Sequence, residues 1–170
     1  SAWMAEAERR GLVNLPNTAA ALPAYILPKN VALMTKHGVY TTSEMMARHE
    51  IHMEKYCKLI SIEAATLVDM VQHSILHAAS RYEGVLCQTI LQKKQALPHA
   101  DCRVETALAE SILTLNGELL DDTVALKTAL ETAPETDGEH MLRYYHDTIF
   151  AQMNKVRASI DKLETLVAGD

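Results

Sequence analysis

Two histidines, His73 and His77, have a spacing that could hold a metal ion. Residues i and i+4 lie on one face of an α-helix, so both imidazoles could reach one cation. A catalytic zinc needs a third protein ligand and an open position, yet no HExxH motif surrounds the pair, and no motif fixes Glu63 or Asp69 at ligand distance. Two surface or inter-helix histidines are the stronger interpretation.

A second pair, His49 and His52, lies beside Glu50 and Glu54. An imidazole flanked by carboxylates could act as a general base. The surrounding sequence, ARHEIHMEKY, mixes positive and negative charges, as a solvated helix face does. We therefore favour a solvated helix face over a catalytic one.

The candidate nucleophiles are equally weak. Ser61, Ser74 and Ser80 lie within a predicted helix, whereas a catalytic serine of the elbow type needs a strained turn. Cys57 falls next to an apolar stripe, where a buried and unreactive thiol is expected. None of the glycines forms a phosphate-binding loop before a helix. The sequence predicts no catalytic, cofactor-binding or metal-binding residues.

Methionines recur in the same segment at Met45, Met46, Met53 and Met70. Flexible thioether side chains can form an adaptable surface for a partner protein. At helical spacing they are more often ordinary core residues, and we prefer that interpretation.

Composition limits the class of protein. The 170 residues suffice for one domain, and the net charge of -6 argues against nucleic acid, which requires clustered Lys and Arg. An odd number of widely spaced cysteines, Cys57, Cys87 and Cys102, suits reduced thiols in the cytoplasm. No signal peptide is recognisable, and no uninterrupted apolar run approaches the roughly 20 residues that span a bilayer. We expect a cytoplasmic protein that binds neither nucleic acid nor membrane.

Few residues here favour strands, so the predicted fold is all-α. Residues 1–40 form an irregular arm of short helices, interrupted by Gly11 and three prolines and closed by Gly38. Thr41 and Glu44 have the spacing of a capping box, which predicts the start of one very long helix over 41–96. Because such a helix would measure about 80 Å, we expect a bend or break near Ser80 to Gly84.

Two further helices are predicted over 101–133 and 137–168. Asp101 is the candidate cap of the first, and the spacing of Thr136 and Glu139 predicts a capping box for the second. The last helix has a regular seam with steps of four and three, which favours packing against the preceding helix as an antiparallel hairpin. The seam residues are Leu142, His146, Ile149, Met153, Val156, Ile160, Leu163 and Val167. All these elements are expected to form a single helical domain over 1–170.

About the first seventy residues resemble the C-terminal region of type III glutamine synthetases. That family has patterns similar to W..EA..RGL.NL..T..ALP, KHGV and R.EI..E.Y.K.I.IEA.T..DM. This chain matches them at Trp3, Glu6, Ala7, Arg10, Gly11, Leu12, Asn14, Leu15, Thr18, Ala21, Leu22 and Pro23; at Lys36, His37, Gly38 and Val39; and at Arg48, Glu50, Ile51, Glu54, Tyr56, Lys58, Ile60, Ile62, Glu63, Ala64, Thr66, Asp69 and Met70. The resemblance fades after Val71, and His77 stands where the family tends to have a proline.

The resemblance implies an enzyme that joins ammonium to glutamate with ATP and Mg or Mn, in large ring-shaped oligomers. Its catalytic elements would lie upstream, so the isolated chain is expected to be inactive. The partners implied are the catalytic domain of the same enzyme and neighbouring subunits, with docking through Trp3 to Pro28. Glu50, Glu54 and Glu63 would then be docking contacts. The alternative is a stand-alone helical protein that binds metal or acts as a scaffold.

Overall fold

The computed structural model describes residues 2–134 and 138–167, and every regular element among them is a helix. The all-α prediction is confirmed. The helices are α1 (Ala2–Arg9), α2 (Thr18–Tyr25), α3 (Pro28–Lys36), α4 (Thr42–Met70), α5 (Leu76–Ala96), α6 (Arg103–Glu131), α7 (Glu139–Tyr144) and α8 (Ala151–Leu166), with π-helical segments at Val71–Ile75 and Tyr145–Phe150.

Two glycines close short helices of the N-terminal arm. Gly11 and Gly38 have φ of 73° and 64°, a left-handed conformation in which a side chain would be strained. In each case the residue after the glycine donates its backbone N–H to the carbonyl five residues back, from Leu12 to Ala7 at 2.9 Å and from Val39 to Met34 at 3.0 Å. These bonds define Schellman caps, so both predicted helix stops are confirmed.

Helix α2 is capped by the residue that precedes Thr18. Asn17 is the N-cap, and its side-chain oxygen accepts the backbone N–H of Ala20 at 2.8 Å. Thr18 is the first helical residue. Asparagine immediately before the helix occupies the position where a side-chain acceptor reaches the free N–H groups.

The capping box of α4 is formed. The backbone N–H of Thr41 donates to the Glu44 carboxylate at 2.7 Å, and the N–H of Glu44 donates to the Thr41 hydroxyl at 3.2 Å. Glu44 also satisfies a free donor at the positive end of the helix dipole. The sequence pair therefore fixed where the long helix begins.

The expected break near Ser80 to Gly84 was wrong, because α5 continues through these residues. The irregularity lies at Val71–Ile75, where the N–H of Leu76 donates to the carbonyl of Val71, five residues back. This π-helical turn adds a residue to the local repeat without a proline. It begins where the family resemblance fades.

In the part of the chain that the structure describes, one helix, Thr42–Ala96, could cross a membrane by length and composition alone, since an 18-residue window within it has a mean hydropathy of 1.3. Core helices of soluble proteins meet the same criterion. Glu63 and Asp69 interrupt the apolar residues between Leu59 and Leu76. The expectation of no membrane partner stays a prediction.

Helix α6 packs against both α5 and α8. Residues near its start, including Ala107, line a groove with Leu166 near the end of α8, and the Gln152 side chain of α8 donates to the Asp122 carbonyl of α6 at 3.1 Å. These pairings show the predicted antiparallel hairpin. At the start of α6, the Asp101 carboxylate accepts the N–H of Arg103 at 3.0 Å, while Cys102 is the N-cap.

The last helical region follows the predicted seam, but a π-helical segment at Tyr145–Phe150 divides it into α7 and α8. Of the seam residues, Leu142, Ile149, Val156, Ile160 and Leu163 are buried. The N-cap of α7 is Gly138, which has no side chain that could accept a hydrogen bond from the helix. Thr136, the predicted capping partner of Glu139, lies outside the described residues.

The chain divides into two compact units, each with its own buried residues. Unit 1 comprises Ser1–Leu59 and Pro134–His146, and unit 2 comprises Ile60–Ala133 and Asp147–Asp170. In unit 1, Met53, Cys57, Ala19 and Leu142 form a core cluster. Independent folding of 1–170 as one domain stays a prediction.

Candidate interaction surfaces

Unit 1 has an N-terminal apolar surface formed by Trp3, Met4, Leu12, Val13 and Leu15. These side chains are between 40% and 62% exposed. Scattered exposed apolar residues are normal, but several within one short segment mark an interaction site. This surface is the main candidate for docking.

The geometry of α1 brings this surface together. The Schellman cap at Gly11 reverses the chain, so Leu12 and Val13 line a groove of about 800 Å³ with Trp3 and Met4. Beside it, Glu6 accepts hydrogen bonds from Arg9 and Arg10, and these guanidinium groups hold the pKa of Glu6 below its usual value. Helix α1 and its cap at Gly11 therefore bring the apolar side chains of this surface together.

Unit 2 has a smaller exposed stripe on α6, which we call the α6 stripe. It consists of Leu113, Leu120 and Val124, separated by seven and four residues and all about half exposed or more. This spacing places them on one helix face. A neighbouring face, about 120° around the helix, buries Ile112, Leu119 and Leu126.

His73 and His77, for which metal binding was the weaker interpretation, are both exposed. The His73 ring nitrogen Nδ1 lies 3.0 Å from both the carbonyl and the carboxylate of Asp69, within one helix. Among residues 2–134 and 138–167, no three His, Cys, Asp or Glu side chains are close enough to hold a metal ion. Neither Glu63 nor another described side chain completes a site with His77.

The other pair, His49 and His52, has two different environments. His52 is exposed and packs edge to face on Tyr25, with ring centroids 6.2 Å apart. His49 is only 5% exposed, and its Nε2 has no hydrogen-bond partner among the residues that the structure describes. It lines a cavity of about 610 Å³, the His49 pocket, whose lining residues are Ile26, Met46, His49, Glu50, Met53, Glu54, Gly138 and Met141.

The three glutamates expected as docking contacts lie in different settings. Glu50 and Glu54 line the His49 pocket, and Glu54 also pairs with Lys58 at 2.6 Å. Glu63 lines a separate groove of about 530 Å³ in unit 2. Their role as docking contacts stays a prediction.

The candidate nucleophiles have no partner that would activate them within the described residues. Ser74 and Ser80 are exposed, and Ser61 is partly buried. Burial raises the pKa of the Cys57 thiol, which disfavours the reactive thiolate. Cys57, Cys87 and Cys102 are free thiols.

The methionines divide between core and surface. Met45 and Met53 are buried, as the core interpretation predicted, whereas Met46 and Met70 are 41% and 51% exposed. Sequence reasoning missed that His49 is buried and His52 is not. Only the repeat of four from Met45 through His49 to Met53 could have indicated it.

Comparison with known proteins identifies relatives along nearly the whole chain. The family model described as glutamine synthetase C-terminal domain matches residues 1–94. A glutamine synthetase of Butyrivibrio fibrisolvens is 32% identical over 175 residues, covering 97% of this chain and 24% of that protein. The type-3 glutamine synthetase of Dictyostelium discoideum is 28% identical over 172 residues, covering 97% of this chain and 23% of the relative.

A glutamine synthetase of Bacteroides fragilis is 24% identical over 170 residues, with 95% of this chain and 23% of the relative covered. The chain thus spans about a quarter of the length of the curated relatives it matches.

Proposed function

Because the chain belongs to the glutamine synthetase C-terminal domain family, we propose that it serves a larger glutamine synthetase as a helical interaction domain. Its relatives are about four times longer, which leaves ample chain for a catalytic part elsewhere. The observation that carries the proposal is the N-terminal apolar surface, because solvent contact of several large apolar side chains is unfavourable in a domain that stands alone.

The proposed whole enzyme joins ammonium to glutamate with ATP and Mg or Mn. The described residues do not fit these groups, because they include no cluster of three metal-ligating side chains and no glycine-rich phosphate loop. We therefore assign ATP, the metal ions and the reaction to the remainder of the enzyme, and no step of catalysis to this chain. Cytoplasmic location belongs to the same proposal, supported by three free thiols.

The first partner in this proposal is the catalytic domain of the same enzyme, docked on the segment Trp3 to Pro28. Within that segment, the groove beside α1 offers the indole of Trp3 together with Leu12 and Val13. Aromatic anchors of this kind contribute strongly to protein interfaces. Arg9 and Arg10 beside the groove, partly neutralised by Glu6, add polar groups at its edge.

The second partner is a neighbouring subunit or a regulator, contacting the hairpin of α6 and α8. The α6 stripe supports this part, because Leu113, Leu120 and Val124 form an exposed apolar row beside the buried face. A partner helix could pack its own apolar row there.

Surface substitutions in the full-length enzyme that contains this chain test the docking surface. The triple variant Trp3→Ser, Leu12→Ser, Val13→Thr removes apolar contact area but touches only exposed positions. We expect glutamine synthesis and the thermal stability of the enzyme to fall, because the anchoring contact with the catalytic part is lost. Activity assays, melting curves and light scattering provide the measurements.

A matched control changes three equally exposed apolar residues of unit 2: Leu91→Ser, Leu97→Ser and Val104→Thr. This control should leave activity, stability and assembly unchanged. If the docking variant also behaves like the unchanged enzyme, the N-terminal apolar surface is not an interface. Leu113→Ser with Leu120→Ser tests the α6 stripe in the same way, with ring assembly measured by light scattering.

Two measurements on the isolated chain complete the test. We expect no ATP-dependent glutamine formation, and measurable activity would overturn the assignment of catalysis to the rest of the enzyme. Zinc should leave the melting temperature unchanged. A clear rise would instead favour the stand-alone metal-binding alternative, because a ligand bound only by the folded state stabilises it.

A further inference from the structure

The α6 stripe continues in both directions as one row of positions on α6. Gly117 fills the gap between Leu113 and Leu120, while Glu110 precedes the stripe and Lys127 follows it. The steps along this row are three, four, three, four and three residues, so its members share one face of the helix. All of them are exposed. The row therefore has an apolar middle, with a carboxylate at one end and an ammonium group at the other.

The order of these steps is the same from either end, which makes the row complementary to a second copy of itself. When two copies of α6 pack antiparallel about a two-fold axis, Leu113 faces Val124 of the second copy. In the next layer, Gly117 faces Leu120 of the second copy. Each apolar side chain thus faces either an apolar side chain or the space above a glycine.

The charges at the two ends of the row select the antiparallel direction. In that arrangement Glu110 faces Lys127 of the second copy, and the two-fold axis forms this opposite-charge pair twice. A parallel arrangement would instead place like charges opposite each other at both ends, which is unfavourable. Neither side chain forms an ion pair with another residue in the described part of the chain. Both are therefore available to a partner with the reverse order of charges.

Gly117 independently indicates a second helix on this face. Glycine inside a helix costs about 1 kcal/mol relative to alanine. A Cβ added at Gly117 would meet no described atom within 4 Å outside the backbone of α6 itself, so packing within one chain does not require a glycine here. The missing side chain allows another helix to approach closely and leaves space for the Leu120 side chain of the second copy.

The size of the row indicates a weak pair. Leu113, Leu120 and Val124 are 61%, 48% and 54% exposed. Three such side chains from each copy fall short of the roughly 1,200–2,000 Å² that stable complexes bury. Within a larger assembly, other contacts hold two copies close together and raise their effective concentration. A weak pair is therefore sufficient between neighbouring subunits.

On the basis of the proposed contact between the hairpin and a neighbouring subunit, we propose that this contact is α6 of a second copy of the chain. The two helices pack antiparallel through the α6 stripe and Gly117, and Glu110 pairs with Lys127 of the second copy at both ends. A partner of unrelated sequence would not have to match both the spacing and the order of charges of this row.

Sedimentation equilibrium of the 170-residue chain measures the pairing. We expect a monomer–dimer equilibrium with a Kd on the order of 10–100 µM. Glu110→Lys or Lys127→Glu alone should weaken pairing about five-fold or more, because each places like charges opposite each other twice. The two substitutions together restore opposite charges in each pair, and the Kd should return to within about two-fold of that of the natural chain.

Matched controls separate this contact from an effect of net charge. Glu118→Lys changes the net charge as Glu110→Lys does, but lies on another face of α6. Lys55→Glu changes it as Lys127→Glu does, at an exposed position of unit 1. At roughly 0.15 M salt both controls should leave the Kd within about two-fold, because distant charges are screened. Circular dichroism verifies that every variant keeps its helices.

Cysteine cross-linking tests the direction of the pair, in a chain whose exposed Cys87 is replaced by serine. Leu113 and Val124 lie about 16 Å apart along α6. Only antiparallel packing brings these positions of two copies within the roughly 7 Å between Cα atoms that a disulfide allows. An equimolar mixture of Leu113→Cys and Val124→Cys chains should form covalent dimers under mild oxidation, whereas either variant alone should remain monomeric on a non-reducing gel.

Three results would overturn the proposed pair. They are a chain that stays monomeric at roughly 1 mM, well above the expected Kd, a double charge variant that pairs as weakly as the single ones, and cross-linking of one variant alone as efficient as that of the mixture. If the chain is monomeric but Leu113→Ser with Leu120→Ser impairs ring assembly of the full-length enzyme, only the identity of the contacted helix is wrong. Unchanged ring assembly in that variant would overturn the proposed subunit contact as well.

Discussion

The two compact units differ in the chemistry of their buried side chains. Unit 1 buries Met45, His49, Met53 and Cys57 along α4, which are flexible or polarisable residues. Unit 2 buries mainly branched aliphatic residues: Ile60, Val68, Val71, Leu86, Ile112, Leu119, Leu126, Ile149, Val156, Ile160 and Leu163. The family match covers the first segment of unit 1 completely and only part of unit 2.

This difference indicates that the two cores differ in rigidity. Branched aliphatic side chains have few rotamers and specify one packing arrangement, whereas methionine adapts to its neighbours. Unit 1 also has the N-terminal apolar surface and the His49 pocket. We infer that unit 2 has the more rigid core and that unit 1 has the main candidate interaction surface.

The largest expected effect is in the core of unit 2. Leu119 is fully buried in α6, so Leu119→Ala should lower the free energy of unfolding by about 2–5 kcal/mol through lost burial and a cavity. Its neighbour Leu120 is 48% exposed, and Leu120→Ala should have a much smaller effect. Urea denaturation measures both. Similar losses for the two variants would contradict the assigned helix face.

One substitution in unit 1, His49→Phe, is expected to stabilise the folded chain. His49→Phe removes the unpartnered Nε2 from the buried side of α4, so the free energy of unfolding should rise by about 1 kcal/mol or more. The exposed control His77→Phe should change it by less than about 0.5 kcal/mol. Thermal and urea unfolding test the pair. A lower free energy of unfolding for His49→Phe would show that this nitrogen has a hydrogen-bond partner in solution. The difference between the buried side chains of the two units would then be smaller.

Replacing either of two glycines with alanine should change the free energy of unfolding, but in opposite directions. Gly38 has a φ of 64°, so Gly38→Ala should lower the free energy of unfolding by roughly 1 kcal/mol. Gly84 lies inside α5, and a Cβ added there would meet no other atom within 4 Å, so Gly84→Ala should raise the free energy of unfolding by up to about 1 kcal/mol. Matched urea curves compare them. Stabilisation by both variants would show that the cap at Gly38 is not formed.

The smallest expected effect is the acid sensitivity of the α4 cap in unit 1. The Thr41 backbone N–H and hydroxyl hold the pKa of Glu44 below its ordinary value of 4.5. Because the folded pKa is lowered, this stabilisation is present above the unfolded pKa and is lost as pH falls through the folded pKa. Glu44→Gln should therefore have a lower free energy of unfolding than the natural chain at neutral pH. This difference should shrink as the pH drops below about 4.5. A carboxyl NMR titration of Glu44 at or above 4.5 would contradict the capping box.

Local signals in the sequence predicted much of the fold. Thr41 with Glu44, and the closures at Gly11 and Gly38, concern groups only three to five residues apart, so their hydrogen bonds follow from residue type and spacing. The hairpin of α6 and α8 was predicted from a seam of residues whose spacing alternates between four and three. In contrast, the π-helical segment Val71–Ile75 has no proline or glycine to mark it.

The surfaces were less predictable. Trp3 to Pro28 was expected to dock, but its exposed groove depends on how the Gly11 cap returns the chain against α1. His49 and His52 have the same side chain and lie three residues apart. Their different exposure depends on which side chains from distant segments, such as Ile26 and Met141, line the same cavity.

By itself, the sequence determined the helical class, the main helix starts and stops, and the family, because these depend on local hydrogen bonds and on matched residues in order. The tertiary structure alone decided that Met45 is buried and Met46 is not, that Ala79 is buried whereas Ala78 is exposed, and that His49 lines a pocket. Residues one position apart differ by about 100° around a helix, and only packing against other helices selects the face that becomes the core.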